Sequence, residues 1–113
     1  MRALAVFQDK PGWQTAWLKP GFRHVLAAVE LPSGYAVVAD PIAGGLHFWA
    51  GPGDLVYLTD YYRGMGATAV ETNASPGGLF YPTRWTCVEA VKRILGIRAL
   101  SVLTPYQLYK RLT

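Results

Sequence analysis

The chain has 113 residues, of which 51% are hydrophobic and 16% are charged, and its net charge is +4. With 12 glycines and 8 prolines, this composition predicts one turn-rich domain spanning residues 1–113 and excludes wholesale disorder. No apolar run approaches the ~18 residues of a membrane span, so we expect no transmembrane segment. Residues 1–9 are too short an apolar stretch, and contain an acidic residue too early, for a signal peptide. A single cysteine cannot form an internal disulfide, so we expect a location in the cytoplasm or in a particle assembled there.

Six short segments predict the strands of an antiparallel sheet, because they are apolar or alternate in polarity and are bounded by Gly and Pro. Residues 61–66 are predicted as a turn or a single helical turn before the last of them. In chain order the predicted strands are residues 2–7, 22–31, 35–40, 46–49, 55–58 and 67–72.

The clearest hairpin joins the second and third of these strands through Pro32, Ser33 and Gly34. A turn this short fixes the register of the two strands. It places Asp40 opposite Leu26 or its neighbour on the adjacent strand.

Two short helices are predicted after the strands. Thr86 followed by Glu89 is a capping-box pattern that starts the first helix, and Gly96 ends it. Its apolar stripe leaves Lys92 and Arg93 on the exposed side. The second helix starts at residue 104 with another capping box and a proline. The predicted fold is therefore α+β, an antiparallel sheet covered on one face by two C-terminal helices.

Basic residues crowd the C-terminal segment, on the predicted outer faces of these helices. Such a face can meet nucleic acid, lipid headgroups or an acidic partner, but it is often only the solvated side of a helix. No nucleic-acid motif accompanies it, so we expect no specific nucleic-acid partner. The residues are Lys92, Arg93, Arg98, Lys110 and Arg111.

Cys87, the only cysteine, is predicted at the first turn of the first helix, where free backbone N–H groups favour an anion. We expect this position to lower the thiol pKa from its ordinary value of about 8.5 and to make the sulfur a nucleophile. The alternative is that Cys87 is a small buried residue of the helix face, because Val91 and Ile94 follow it on the same stripe.

A thiol nucleophile also needs a base, and the chain has two histidines, His24 and His47. His24 fits the base role better because it lies inside an apolar strand, and Asp40, on the strand paired with it, is the predicted orienting group. His47 is the alternative orienting group, or a residue that lines the pocket. Both His24 and Asp40 can also be structural, as a satisfied core histidine and a turn opener. No Cys or His pair has metal-ligand spacing, so we expect no metal and no cofactor.

The order of these residues resembles that of a known family. A base that precedes its carboxylate, with the cysteine at a later helix N-terminus, is similar to the circularly permuted papain-like proteins, the permuted NlpC-type group that includes relatives of lecithin-retinol acyltransferase. More closely, the sequence looks like a group of small proteins from tailed phages and their bacterial hosts. The likeness spans nearly the whole chain and is carried by residues 21–25, 40–41, 86–97 and 103–109.

The resemblance implies a permuted papain-like fold with Cys87 as nucleophile, His24 as base and Asp40 as orienting group. It implies a cysteine-dependent hydrolase or acyl-transfer enzyme acting on an amide or ester bond, in a cell-wall peptide or a protein, through an acyl-Cys87 intermediate. Residues 80–85, which lead into the helix, supply no Gln or Asn for an oxyanion hole, so the Cys87 N–H would act with a second donor. Gln8 is a remote candidate for that donor.

The competing hypothesis is a papain-like domain that serves as a structural or interaction module, such as a minor component of a phage tail, with other virion proteins as partners. Aromatic residues make up 13% of the chain, and those in predicted loops or rims suit a contact surface. A lipid-binding or membrane-surface role is the third hypothesis. The aromatic residues in question are Trp13, Trp17, Trp49, Tyr61 and Tyr62.

Overall fold

A computed structural model describes residues 1–9, 17–42, 45–50, 53–75 and 86–113. Within these ranges five strands form one antiparallel sheet, in the order β4-β3-β2-β1-β5. The predicted hairpin register is confirmed, since Ala27 pairs with Ala39 and Ala28 with Val38. The strands are β1 (Arg2–Gln8), β2 (His24–Glu30), β3 (Ala36–Ile42), β4 (Gly45–Ala50) and β5 (Thr68–Asn73).

The described ranges also contain helices α1 (Leu55–Gly64), α2 (Cys87–Leu95) and α3 (Pro105–Leu112). The side chains of Thr86 and Thr104 cap α2 and α3 as predicted, each accepting a hydrogen bond from the backbone N–H three residues on. None of these described helices combines the length and the apolar character needed to cross a membrane. The predicted α+β class is confirmed.

The prediction of a strand at residues 55–58 was wrong, because these residues form the first turn of α1. Asp54 caps this helix by accepting a hydrogen bond from the Tyr57 N–H at 3.0 Å. Leu55, Leu58 and Tyr62 are buried at helical spacing. A short apolar run fits a strand and a helix equally well. Here the Asp54 cap and the spacing of the buried residues over the following turns favour the helix. Residues 61–66, predicted as a turn or a single helical turn, include the end of α1 at Gly64.

The sheet is covered on both of its faces, so the prediction of one covered face was wrong. Side chains alternate along β1 and β2. Phe7 and Val25 share a core cluster with residues of α2 and α3, on what we call the α2 face. Leu4 and Leu26 share a second cluster with Leu55 and other residues of α1, on what we call the α1 face. The unpredicted helix α1 therefore supplies the second cover.

Lys92 is fully buried, so its predicted place on the exposed side of α2 was wrong. Its ammonium donates to the carbonyl oxygens of Ala99 at 2.8 Å and Val102 at 2.7 Å. It also contacts Glu89 Oε1 at 2.7 Å. These contacts account for the three donors of a lysine ammonium. Lys92 therefore holds the segment between α2 and α3 against α2.

Candidate functional site

His24 and Asp40 form a direct contact near one end of the sheet. Nε2 of His24 lies 2.6 Å from Oδ1 of Asp40, and the two side chains are only 12% and 14% exposed. The hairpin register ends at the pair Ala27 and Ala39, so Asp40 and His24 lie just beyond its paired part, on the same face of the sheet. Neighbours at such an offset are within reach of long side chains.

The backbone bulges where His24 begins β2. Gln8 is the register partner of His24, yet the Gln8 carbonyl also accepts a hydrogen bond from the Arg23 N–H at 3.1 Å. Two residues of one strand thus oppose one residue of the other. The Arg23 side chain is tied to Asp9 at 2.8 Å. Bulges of this kind redirect side chains and occur beside active sites.

Cys87 lies at the start of α2 and packs on the α2 face of the sheet. The described register pairs of β2 and β3 end at Ala27 and Ala39, whereas β2 continues back to His24 beside β1 and β3 continues to Ile42 beside β4. Helix α2 packs on both strands. Cys87 packs against the cluster that contains Val25, the residue after His24, and the Val25 backbone is among the groups that lower the pKa of its thiol.

The balance of effects raises the pKa of the Cys87 thiol, so the predicted lowering was wrong. Desolvation by burial is the largest cause. Hydrogen bonds from the backbone groups of Val25, Val88 and Cys87 itself act in the opposite direction, and the negative charge of Asp40 adds to the increase. The sequence indicated the helix N-terminus but not the depth of burial, which favours the neutral thiol.

Cys87 lies on the other side of the sheet from the pair formed by His24 and Asp40. Along β2 and β3 the alternation assigns His24 and Asp40 to the α1 face, whereas Cys87 packs against the cluster of the α2 face. The structure therefore brings His24 and Asp40 into contact and places Cys87 at the backbone beside His24.

Tyr62 belongs to the surroundings of Asp40 and was not predicted there. It is only 5% exposed, which contradicts its expected place on a rim. Burial and the nearby negative charge of Asp40 both raise the pKa of the Tyr62 hydroxyl. In the sequence, the helical spacing of Tyr62 from Leu55 and Leu58 was the pattern that could have predicted its burial. Trp17, Trp49 and Tyr61 are exposed, while Trp13 lies outside the described residues.

His47 is the register partner of Asp40 on β4. Its side chain is exposed and shares the face of Asp40, so it remains the alternative orienting group. Among the residues that the structure describes, no cluster of three Cys, His, Asp or Glu side chains offers a metal site.

A cavity of about 290 Å³ adjoins this end of the sheet and is lined by Gln8, Asp9, Met65, Gly66 and Ala67. Residues 80–85, which contain no Gln or Asn for an oxyanion hole, lie outside the described residues. No family model, no curated protein and no solved structure matches the chain.

Proposed function

We propose that the protein is a cysteine-dependent hydrolase or acyl-transfer enzyme of permuted papain-like fold. It acts on an amide or ester bond, in a cell-wall peptide or a protein, through an acyl-Cys87 intermediate. The observation that carries the proposal is the 2.6 Å contact between His24 and Asp40, and Cys87 packs against the cluster that contains Val25, the residue after His24. A thiol, an imidazole and a carboxylate are the components of thiol-based acyl transfer, and for this chemistry the Cys87 sulfur must reach His24 from the other face of the sheet.

Asp40 defines the role of each imidazole nitrogen. Because its carboxylate binds Nε2, a proton that His24 takes from a thiol is carried on Nδ1. The carboxylate also stabilises the imidazolium that forms. Asp40 is therefore the orienting group, and His24 the base and later the acid.

The raised pKa of Cys87 determines how the nucleophile forms. Since burial favours the neutral form, the resting sulfur is a thiol rather than a preformed thiolate. His24 removes the proton as the sulfur attacks the substrate carbonyl, which is general-base catalysis. In the absence of substrate, the Cys87 sulfur is thus expected to be a weak nucleophile.

The start of α2 supplies stabilisation for the oxyanion. The backbone groups of Cys87 and Val88 that hydrogen-bond the sulfur lie at the positive end of the helix dipole. As the C–S bond forms, the thiol proton moves to His24 Nδ1. That proton then goes to the leaving group, and water or another acceptor takes the acyl group from the sulfur.

The test is acetylation by p-nitrophenyl acetate. The wild-type protein should release p-nitrophenolate in a burst and carry one acetyl group on Cys87 in peptide mass spectra. The Cys87→Ser and His24→Ala variants should lose the burst, whereas Asp60→Asn, at an exposed site of α1, should retain it. Acetylation that proceeds equally in His24→Ala would contradict the proposal.

A second candidate is a non-catalytic component of a phage tail, and the outer side of α1 favours it. Tyr57 and Tyr61 stack with ring centroids 6.4 Å apart and are 50% and 51% exposed, beside Met65 at 61%. Exposed aromatic residues of this kind suit a protein contact. A protein that never acetylates, and that leaves purified phage particles when Tyr57 and Tyr61 are changed to serine, would support this candidate.

A further inference from the structure

Two leucines project from the segment that joins α2 to α3. Leu100 is 66% exposed and Leu103 is 60% exposed, whereas Val102, which lies between them, is buried in the core cluster of the α2 face. We call Leu100 and Leu103 the leucine tip. Covering apolar side chains that are this exposed is favourable, because it removes apolar surface from water.

The backbone of the leucine tip is held in place by hydrogen bonds within the chain. The buried Lys92 ammonium binds the carbonyl oxygens of Ala99 and Val102. Oε1 of Gln107 accepts a hydrogen bond from the Leu103 N–H at 2.8 Å. A fixed backbone therefore presents the leucines. Since these backbone groups are already paired inside the chain, the tip can enter an apolar layer without leaving them unsatisfied.

The surroundings of the leucine tip are positively charged, because residues 90–113 contain five basic residues and no Asp or Glu. Arg98, Lys110 and Arg111 are exposed. Lys110 and Arg111 follow Gln107 by three and four residues, so they share its side of α3. The Gln107 carboxamide binds Leu103, so this basic side of the helix starts at the tip.

An anionic lipid surface fits this combination of groups. Apolar side chains insert at the boundary of the acyl chains, while Lys and Arg attract the anionic headgroups. A protein partner fits less well, because leucine is under-represented among the residues that dominate protein interfaces. A nucleic acid would engage the basic residues but not the leucines, since unpaired bases are bound by aromatic stacking.

We propose that the leucine tip docks on a membrane surface that carries anionic lipids. Leu100 and Leu103 insert at the level of the acyl chains, and Arg98 lies at the headgroups. Lys110 and Arg111 add electrostatic attraction from the side of α3. The docking does not depend on the proposed function, because no step of it involves Cys87.

Co-sedimentation with vesicles tests the docking. The whole chain should bind vesicles made of equal parts of phosphatidylcholine and phosphatidylglycerol, and it should bind pure phosphatidylcholine vesicles at least about tenfold more weakly. Raising the salt concentration to about 0.5 M should weaken binding to the anionic vesicles, because salt screens the attraction between separated charges. A wild-type protein that does not bind the anionic vesicles would overturn the proposal.

The double variant Leu100→Ser/Leu103→Ser should lower the partition coefficient at least about tenfold, because two leucines lose their burial in the membrane. The matched control is Val56→Ser, which removes a residue that is 57% exposed on α1 and should bind like the wild type. Leu100→Ser alone gives the same comparison if the double variant does not fold. Unchanged binding in a folded leucine variant would contradict insertion.

Arg98→Gln should weaken binding to the anionic vesicles about fivefold. Arg2→Gln, which removes the same charge from a side chain that is 55% exposed on the α1 face, should weaken it less than twofold. The comparison separates the charge beside the tip from the net charge of the protein. Equal losses in the two variants would show that binding follows net charge alone, and would refute docking by the tip.

Two further measurements identify other occupants. A wild-type dimer in sedimentation velocity that becomes a monomer in the double variant would mean that a second copy covers the leucines, and the proposal would fall. Binding to duplex DNA that is tighter than binding to vesicles and unchanged in the double variant would also overturn it. Acetylation without vesicle binding would refute only the docking, and vesicle binding without acetylation would refute only the proposed function.

Discussion

The carboxylate of Asp40 lies 2.6 Å from the imidazole of His24, although the two residues are not register partners. The hairpin register ends at the pair Ala27 and Ala39, so Asp40 and His24 lie just beyond the paired part of the two strands, on the same face. The bulge at Arg23 and His24, where both residues oppose Gln8, adjusts the direction of the imidazole. The offset beyond the register and the bulge therefore produce the contact.

Asp40→Asn should leave the fold intact and reduce acetylation of Cys87 by about 10²–10⁴-fold, the usual contribution of general acid–base catalysis. The amide cannot stabilise an imidazolium as a carboxylate does, and it can select the wrong tautomer of His24. The burst rate with p-nitrophenyl acetate measures this effect.

The matched control is Asp60→Asn on the exposed side of α1, which should change the burst rate less than twofold. An Asp40→Asn protein with wild-type burst kinetics would show that Asp40 has no orienting role. If His47→Ala is then inactive, His47 takes that role.

Local signals predicted the strands and both C-terminal helices. The short turn at Pro32, Ser33 and Gly34 determined the register that brings Asp40 near His24, and the cap at Thr86 determined where Cys87 begins α2. Helix α1 was missed because residues 55–58 are a short apolar run, for which strand and helix periods agree. Because α1 was missed, the cover on the second face of the sheet was missed as well.

Burial was the property that the sequence could not provide. Lys92 and Cys87 were assigned from helix periodicity and end effects, which contain no information on how the segment after α2 folds back. That segment places two carbonyl oxygens against the Lys92 ammonium. Desolvation, a tertiary effect, then outweighs the helix N-terminus at Cys87.

Lys92→Met should lower the free energy of unfolding by about 1–3 kcal/mol, because it removes the ammonium from buried Glu89, which keeps the Arg93 guanidinium at 3.3 Å. The carbonyl groups of Ala99 and Val102 lose their donor as well. Denaturant unfolding followed by circular dichroism gives the value. Lys110→Met, at an exposed site, should change it by less than about 0.5 kcal/mol. Equal effects of the two substitutions would contradict the structural role of Lys92.

Gly96→Ala should destabilise the protein more than Gly34→Ala does. Both glycines have positive φ, +78° and +92°, so an alanine costs roughly 1–2 kcal/mol of backbone strain at either site. At Gly96 the added Cβ would also lie 2.8 Å from Ser75 Cβ, whereas at Gly34 it meets nothing within 4 Å. We expect about 1–3 kcal/mol more at Gly96, measured by urea unfolding. An equal cost would show that the end of α2 can move away from Ser75.

The stability of the protein should fall as the pH rises past the ordinary thiol pKa of about 8.5, and Cys87 should cause part of that fall. Burial raises the pKa of this thiol in the folded state, so the unfolded chain loses the proton first. The stabilisation by the neutral thiol is therefore complete below the ordinary value and is lost as the pH rises towards the folded value.

Cys87→Ala should remove this component, so the two proteins should differ in the slope of stability against pH between about 8 and 10. The raised pKa of Tyr62 acts in the same direction at a higher pH and is present in both proteins, so the difference isolates the thiol. Urea unfolding at a series of pH values under reducing conditions provides the measurement. A wild-type slope that matches the Cys87→Ala slope would mean that the thiol has an ordinary pKa, and a wild-type protein that gains stability as the pH rises would mean that the helix N-terminus outweighs burial.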